Sequence, residues 1–409
     1  LQTTGFSSPK ASCGPASATL ASTDRLTVSQ VWRENLDDDV SSTLEPLFSK
    51  GPSYQIKKNA AVLAEGSTTP GWVKLQDSDT AVFFAMRDFW QNFPKEVSVT
   101  PSGLNIGLWP KGDYYPRTSD ARSEGAYLFD GGRHKTFEML LGFQAADQNG
   151  GEMCAALNSP LMALAPPEWY ARSKALGMIA PAGLEFSNPE IHEAYERFEL
   201  HQKAMVDSNF SDNQWSINTL KTAGAPHWEL DRQNRFFGWM HFGDLLWSGG
   251  GGIPCALHYD WTYSMLLHYI RTGKQDLFSA GADMARHRYD IDQYHGQRSG
   301  NVKWLNHMQF YESEGHADPT IKSYLPSRVS PPSHVWNGGL VLYYLLTGDR
   351  KAWEAAMENG QAALNYYGSS GLRSADLKKC ANGETRLETW PLLNLLNLYR
   401  VNGNPDYLQ

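Results

Sequence analysis

The stretch 285–295 concentrates side chains that could carry chemistry. It holds two arginines, two histidines, two aspartates and two tyrosines within eleven residues. It contains no Gly or Pro, and its pattern predicts a helix throughout. On that helix Arg288, Asp292 and His295 would fall at i, i+4 and i+7 and share one face. Imidazole, carboxylate and guanidinium groups together are suited to proton transfer beside an anionic substrate.

A solvated surface helix explains the same residues in another way. Arg286 and Asp290 are spaced i, i+4, and each such ion pair contributes about 0.2–0.5 kcal/mol to helix stability. The wider distribution of histidine favours the functional interpretation, because nine of the twelve histidines lie between residues 227 and 334. We therefore expect a histidine-rich site in this part of the chain.

The residues before this region predict a β-rich domain. Apolar and polar residues largely alternate at 26–32 and 97–99, within a region of strands and turns that runs from about 25 to 144. This pattern predicts an antiparallel β-sandwich or barrel-like domain, which we assign to residues 1–150. After residue 150 the pattern changes to helices, the first of which begin near Pro167 and Pro189.

Three later segments repeat one pattern: an apolar helix, a glycine, a polar turn, and an aromatic residue near the start of the next helix. The glycines are Gly273, Gly348 and Gly403, and glycine is the usual residue just after a helix end. Irregularly spaced helical hairpins favour an (α/α) toroid with long loops at one end. We therefore predict an α+β multidomain protein in which residues 151–409 form such a toroid, truncated at its C-terminus.

Composition excludes several classes of partner. The net charge of −8 and pI near 5.9 argue against nucleic acid or an anionic membrane as the main partner. No run of about 20 apolar residues predicts a membrane span. The four cysteines are widely spaced and form no CxxC pair, so a zinc ribbon or redox motif is not expected, and any disulfide pairing stays open. The fourteen tryptophans suit carbohydrate binding.

Four chemistries compete for the polar residues. No GxSxG motif supports acyl transfer, and no HExxH motif supports a zincin, although scattered His and Asp could still assemble a metal site. Paired carboxylates such as Asp260 and Asp292 would suit a glycoside hydrolase. His, Tyr and Arg together suit β-elimination from a uronic acid. That reaction needs a base, a donor that stabilises the enolate-like intermediate, and an acid for the leaving oxygen.

Seven blocks of the sequence resemble the exo-rhamnogalacturonan lyase-like polysaccharide lyases. They lie at 87–94, 104–110, 132–136, 238–244, 259–260, 285–295 and 334–340. The resemblance implies a β-domain followed by an (α/α) toroid, secretion, and cleavage of an acidic, rhamnose-containing polysaccharide by β-elimination. Members of that family continue past the third hairpin, so the expected truncation is the main departure of this chain.

We predict from these residues a polysaccharide lyase that cleaves a uronate-containing glycan. His287 or His295 would be the base and Tyr259 or Tyr294 the acid. The groups that neutralise the substrate carboxylate would be Arg286, Arg288 or His334. We favour His295, Asp292 and Tyr294 over Arg286, which we expect to be paired with Asp290. Other predicted substrate-binding residues are Trp239, His241, His316, Trp336 and Asn337.

The expected partner is an acidic polysaccharide or oligosaccharide, with no nucleic acid and no membrane, in a secreted, extracellular or periplasmic location. No cofactor is predicted, and a divalent cation such as calcium stays open. Two alternatives remain: a glycoside hydrolase that uses paired carboxylates, and a non-catalytic carbohydrate-binding or structural surface protein.

Overall fold

A computed structural model of the chain describes residues 6, 8–32, 52–110, 133–207, 238–239, 242–243, 259–293, 295, 335–369 and 385–408. The chain divides into two compact units. Unit 1 comprises Leu1–Leu128, Thr136–Leu161 and Phe237–Phe242. Unit 2 comprises Phe129–Lys135, Met162–Phe236 and Gly243–Gln409.

Unit 1 contains two five-stranded sheets in its described residues, and every pair of neighbouring strands is antiparallel. The strand orders are β10-β7-β6-β1-β2 and β5-β4-β3-β8-β9. The strands are β1 Lys10–Cys13, β2 Ala16–Thr19, β3 Leu26–Trp32, β4 Pro52–Lys58, β5 Ala61–Gly66, β6 Trp72–Gln76, β7 Thr80–Met86, β8 Lys95–Thr100, β9 Gly103–Gly107 and β10 Met139–Ala145.

Residues of both sheets contribute to one apolar core in unit 1. Leu26 and Val28 of β3 are buried there with Val97 of β8, and Phe84 and Met86 come from β7 of the other sheet. Successive side chains of a strand point to opposite faces, so the alternating sequence pattern delivers one face to this core. The strands predicted at 26–32 and 97–99 are therefore confirmed.

Eight α-helices and one 3₁₀ helix follow in the described residues. Helix α1 belongs to unit 1 and the others to unit 2. They are α1 Gly150–Asn158, α2 Pro167–Ser173, α3 Pro189–Asp207, α4 Trp261–Thr272, α5 Gln275–Asp290, α6 Gly338–Thr347, α7 Arg350–Ser369, α8 Thr385–Asn402 and the 3₁₀ helix Pro405–Leu408.

The predicted helix starts and hairpin turns are confirmed. Pro167 is the first residue of α2, and the Asn188 side chain accepts a hydrogen bond from the Glu190 N–H at the start of α3. Each predicted turn glycine follows a helix in the left-handed region, and its N–H donates to the carbonyl four residues earlier. These glycines are Gly273, Gly348 and Gly403, with φ of 71°, 75° and 66°.

The core of unit 2 is made by the apolar faces of these helices. It includes Leu266 of α4, Ala285 of α5, Leu340 of α6, Ala356 of α7 and Leu398 of α8, each at most 1% exposed. The described residues thus contain two antiparallel sheets and a set of helices, which confirms the α+β class. The domain boundary at residue 150 and the toroid stay predictions.

The helix predicted over 285–295 is wrong in its second half. Helix α5 ends at Asp290, and the N–H groups of Ile291 and Asp292 both donate to the His287 carbonyl, at 2.8 and 3.3 Å. The second of these bonds spans five residues rather than the four of an α-helix, so the chain leaves the helical path. Arg288, Asp292 and His295 therefore do not share one helix face.

Two further observations concern membranes and cysteines. None of the helices in the described residues is long and apolar enough to cross a membrane. Cys13 and Cys154 are buried free thiols, and Cys255 and Cys380 lie outside the described residues.

The conformation of Gly348 leads to a testable prediction. No described atom lies within 4 Å of the position that a Cβ would take there, so the cost of a side chain is conformational. Gly348→Ala should lower the free energy of unfolding by about 1–2 kcal/mol, because Cβ approaches the following carbonyl at positive φ. Gly348→Asn should cost less, since Asn visits this region more readily. Urea unfolding measures both variants, and equal losses would contradict this explanation.

Candidate functional site

Unit 2 contains a buried polar cluster where α5 ends, and we call it the α5-end cluster. It consists of His287, Arg288, Asp292 and Gln293. His287 Nε2 lies 3.1 Å from Asp292 Oδ1, and both side chains are fully buried. Because α5 ends at Asp290, the chain turns back and brings Asp292 against a residue five positions earlier. A histidine held by a buried carboxylate has a fixed ring orientation, as a general base requires.

Arg288 is a cation inside this cluster. Its Nη1 donates to Gln293 Oε1 at 3.2 Å and its Nη2 to Asn359 Oδ1 at 3.1 Å. Burial lowers the pKa of Arg288 to about 10, while the carboxylates of Asp292, Asp260 and Glu358 act in the opposite direction. The guanidinium therefore stays charged at neutral pH, surrounded by acidic residues.

Asp260 joins the N-termini of two helices beside this cation. Its Oδ1 accepts from the Tyr263 N–H at 3.3 Å within α4, and both its oxygens lie 3.1 Å from the Gly339 nitrogen in α6. Burial raises the pKa of Asp260, and the bonds from Gly339 and Tyr263 and the charge of Arg288 oppose that rise. The N–H groups of the two helix N-termini favour the charged form and so offset part of the effect of burial.

The glycine pair that begins α6 is required by this close approach. A Cβ on Gly339 would lie 2.5 Å from Thr262 Cβ and 2.6 Å from Asp260 Oδ1, and one on Gly338 would lie 2.9 Å from Asp260 Oδ2. Any larger residue would push α6 away from α4. The two glycines at 338–339 are therefore explained by helix packing, without a direct role in chemistry.

An aromatic pair lies next to Asp260. Tyr259 is 48% exposed, and its ring centroid is 5.5 Å from that of Trp336, which is 4% exposed. Trp390 packs edge-on against Trp336 at 5.9 Å. Tyr259 and Asp260 have φ of 65° and 55°, and backbone strain of this kind is concentrated at functional sites. The structure thus brings Tyr259, Trp336 and the charged residues Asp260 and Arg288 into one neighbourhood.

His295 lies apart from the His287–Asp292 pair. Its Nδ1 is 2.6 Å from Glu358 Oε2 and its Nε2 is 2.5 Å from the Tyr289 carbonyl oxygen. Glu358 Oε2 also accepts from Gln293 Nε2 at 2.7 Å. Both ring nitrogens face acceptors, so in this conformation His295 has the geometry of a donor rather than a base. Its catalytic role stays a prediction.

The side chains of Asn337 and Trp239 make contacts inside the protein. The Asn337 amide donates to the carbonyls of Ala356 and Asn394, and its backbone N–H donates to Asn394 Oδ1. Trp239 belongs to unit 1, where it is 1% exposed and packs edge-on against Trp109 at 5.4 Å. Substrate binding by these two residues stays a prediction.

The remaining predicted residues fall into two groups. Arg286 is partly exposed, and its Nη1 lies 3.8 Å from Asp283 Oδ1, one turn earlier in α5. Four predicted site residues lie outside the described residues: Tyr294, His241, His316 and His334.

Five residues that contact the predicted site residues were not singled out by the sequence analysis. They are Gln293, Glu358, Asn359, Asn394 and His134. The sequence did contain a signal for Asn359. Ala355, Ala356 and Ala362 recur at helical spacing on the buried face of α7, and Asn359 lies on the same face. A polar residue on an apolar stripe requires a buried hydrogen-bond partner. No comparable pattern marks Gln293 or His134.

Comparisons with known proteins add no assignment. A scan against protein-family models and a search of curated proteins each gave no match. Within the described residues, no group of three or more His, Cys, Asp or Glu side chains is arranged to hold a metal ion.

The His287–Asp292 pair leads to a prediction about stability. His287→Ala should lower the free energy of unfolding by about 3 kcal/mol, because it removes the imidazole from a buried carboxylate. The double variant with Asp292→Ala should lose less than the sum of the two single losses. His192→Ala, on the half-exposed surface of α3, serves as the control and should change stability by about 0.5 kcal/mol or less. Strictly additive losses would show that the pair is not coupled.

Proposed function

We propose that the protein cleaves a uronate-containing, rhamnogalacturonan-like glycan by β-elimination. The observation that carries the proposal is the exposed Tyr259 ring on Trp336, next to the joined N-termini of α4 and α6 and the buried cation Arg288. Aromatic rings that combine an apolar face with a polar tip suit a sugar, which has both apolar and hydroxyl-bearing surfaces. We also propose that the helical hairpins of residues 151–409 form an (α/α) toroid and that the protein is secreted.

The proposal assigns the uronate carboxylate to the positive groups of this neighbourhood, which are Arg288 and the N-termini of α4 and α6, beside the carboxylates of Asp260, Asp292 and Glu358. β-Elimination removes the proton next to the uronate carboxylate, breaks the bond to the leaving oxygen and forms a carbon–carbon double bond. Negative charge develops on the carboxylate during proton removal, so a fixed cation and helix N-termini stabilise it. In the proposal Arg288 supplies the charge, and the Tyr259 hydroxyl gives a proton to the leaving oxygen.

His287 is the histidine that we propose as the base. Asp292 holds one of its ring nitrogens, whereas both nitrogens of His295 face acceptors. His287 is 1% exposed, so the proposal requires that glycan binding exposes the ring.

A non-catalytic glycan-binding role is the second candidate, and burial favours it. His287, Arg288 and Asn337 are all buried, and the contacts of Arg288 and Asn337 join helices to one another. Such residues are typical of a buried network in which the polar groups hydrogen-bond to one another and hold the helices together. On this reading Tyr259 binds a sugar ring, and no bond is broken.

Activity on acidic polysaccharides tests the lyase proposal. The protein should produce unsaturated, ultraviolet-absorbing ends from a rhamnogalacturonan-like polymer. Tyr259→Phe keeps the ring and removes the hydroxyl, so turnover should fall about 10²–10⁴-fold with little change in affinity. Tyr344→Phe is the matched control, because Tyr344 also packs on a tryptophan, Trp353, at 5.2 Å.

The products and affinities distinguish the alternatives. Products with saturated reducing ends would show that the protein is a glycoside hydrolase and not a lyase. Calorimetric binding of the polymer without any cleavage would favour the binding protein. In that case Tyr259→Ala should weaken affinity while Tyr344→Ala should not.

A chelator tests the expectation that no cofactor is needed. Dialysis against EDTA should leave turnover unchanged, because the proposed charge stabilisation comes from Arg288 and the helix N-termini. If EDTA abolishes turnover and added calcium restores it, a bound cation stabilises the developing negative charge instead.

A further inference from the structure

Two histidine rings stack in parallel at the edge of unit 2. His134 lies on His295 with ring centroids 4.1 Å apart and an interplanar angle of 4°. The His134 N–H donates to the Asp290 carbonyl at 3.0 Å. A ring contact and a backbone bond therefore join His134 to the end of α5. The His134 side chain is exposed, so a solvent proton can reach it.

In this stack His295 is the ring whose two nitrogens both face acceptors. Its two nitrogens face the Glu358 carboxylate and the Tyr289 carbonyl oxygen. Neither partner donates when Glu358 is ionised, so both ring nitrogens must carry hydrogens for both bonds to form. A ring that donates from both nitrogens thus lies against the Glu358 carboxylate, and His134 lies flat on it.

The charged groups around His134 come from both helices packed against it. Burial lowers the pKa of His134, and so do His295 and Lys351 of α7, whereas Asp290 of α5 and Glu358 of α7 act in the opposite direction with smaller total effect. The chain neighbours Arg133 and Lys135 add positive charge to the same segment. A proton on His134 would add positive charge directly against His295, whose charge opposes that proton.

We propose that the His134–His295 stack is an acid-sensitive fastening, which holds His134 on the end of α5 at neutral pH and releases it when its ring is protonated. Like charges at this distance repel strongly where water is partly excluded. The proposal does not depend on the proposed catalytic function.

The direction of the pH effect follows from proton linkage. The pKa of His134 is lowered in the fastened state from the ordinary histidine value of 6.5, so the released state binds the proton more readily. The fastening is complete above that ordinary value, and it weakens as the pH falls below it. The weakening continues until the pH reaches the lowered pKa, because both states are then protonated.

The fastening is also coupled to the α5-end cluster. Glu358 Oε2 accepts from both His295 and Gln293, and Gln293 Oε1 accepts from Arg288. Loss of the stack changes the solvent exposure of His295 and Glu358. We therefore expect the release of His134 at acidic pH to change the surroundings of the Arg288 side chain.

Amide hydrogen exchange of the full chain tests the proposal. Peptides that contain residues 133–136 are followed between neutral and mildly acidic pH, with correction for the intrinsic exchange rate. In the wild type, protection should fall by up to about tenfold per pH unit below the ordinary histidine pKa, as uptake of one proton requires. His134→Phe keeps a stacking ring without a titrating group and should stay protected. His134→Lys carries a permanent charge and should be unprotected already at neutral pH.

His192→Gln is the matched control, since His192 is a half-exposed histidine on α3, and it should behave as the wild type does. Protection that does not change with pH in the wild type would overturn the proposal, and so would loss of protection in His134→Phe at the same pH as in the wild type. An NMR titration of the wild type is independent of any variant's folding. A His134 pKa at or above the ordinary value would also overturn it.

Discussion

Arg288 is a charge held away from water, and much of unit 2 is arranged to satisfy it. A buried guanidinium is stable only when its donors are bonded and opposite charge lies close by. The bonds come from Gln293 after α5 and Asn359 in α7, and the nearby carboxylates include Asp260 at the start of α4. Because each partner belongs to a different segment, satisfying one side chain fixes the positions of three helices.

The same requirement explains the junction between α4 and α6. Asp260 is held by backbone N–H groups of both helices, and it also faces Arg288. Glycine at position 339 allows the two helix ends to approach closely enough for this. The strained corner at Tyr259 and Asp260 is therefore maintained by several bonds at once, and it directs the Tyr259 ring towards solvent.

This arrangement separates residues that could touch a substrate from those that support them. His287, Arg288 and Asp292 are buried, while Tyr259 and His134 are exposed. In the proposed lyase, the buried groups supply charge and orientation, and Tyr259 meets the glycan. Hydrogen bonds also extend from the cluster through Gln293 and Glu358 to His295, on which the exposed His134 stacks.

The sequence by itself determined the α+β class, the strands at 26–32 and 97–99, and the ends of the helical hairpins. These features depend on local properties: alternation that delivers one face of a strand to a core, and glycine at positions of positive φ. Sequence reasoning also grouped Arg288, Asp292 and His295, but it placed them on one face of a helix that in fact ends at Asp290.

Only the tertiary structure decided where α5 ends and which partners its residues take. The stretch 285–295 contains no Gly or Pro, so nothing local marks a stop after Asp290. The pairing of His295 with Glu358 and of Arg288 with Asn359 joins residues more than sixty positions apart. The need to bond buried polar groups selects such pairs, and that need exists only once the helices have packed and excluded water.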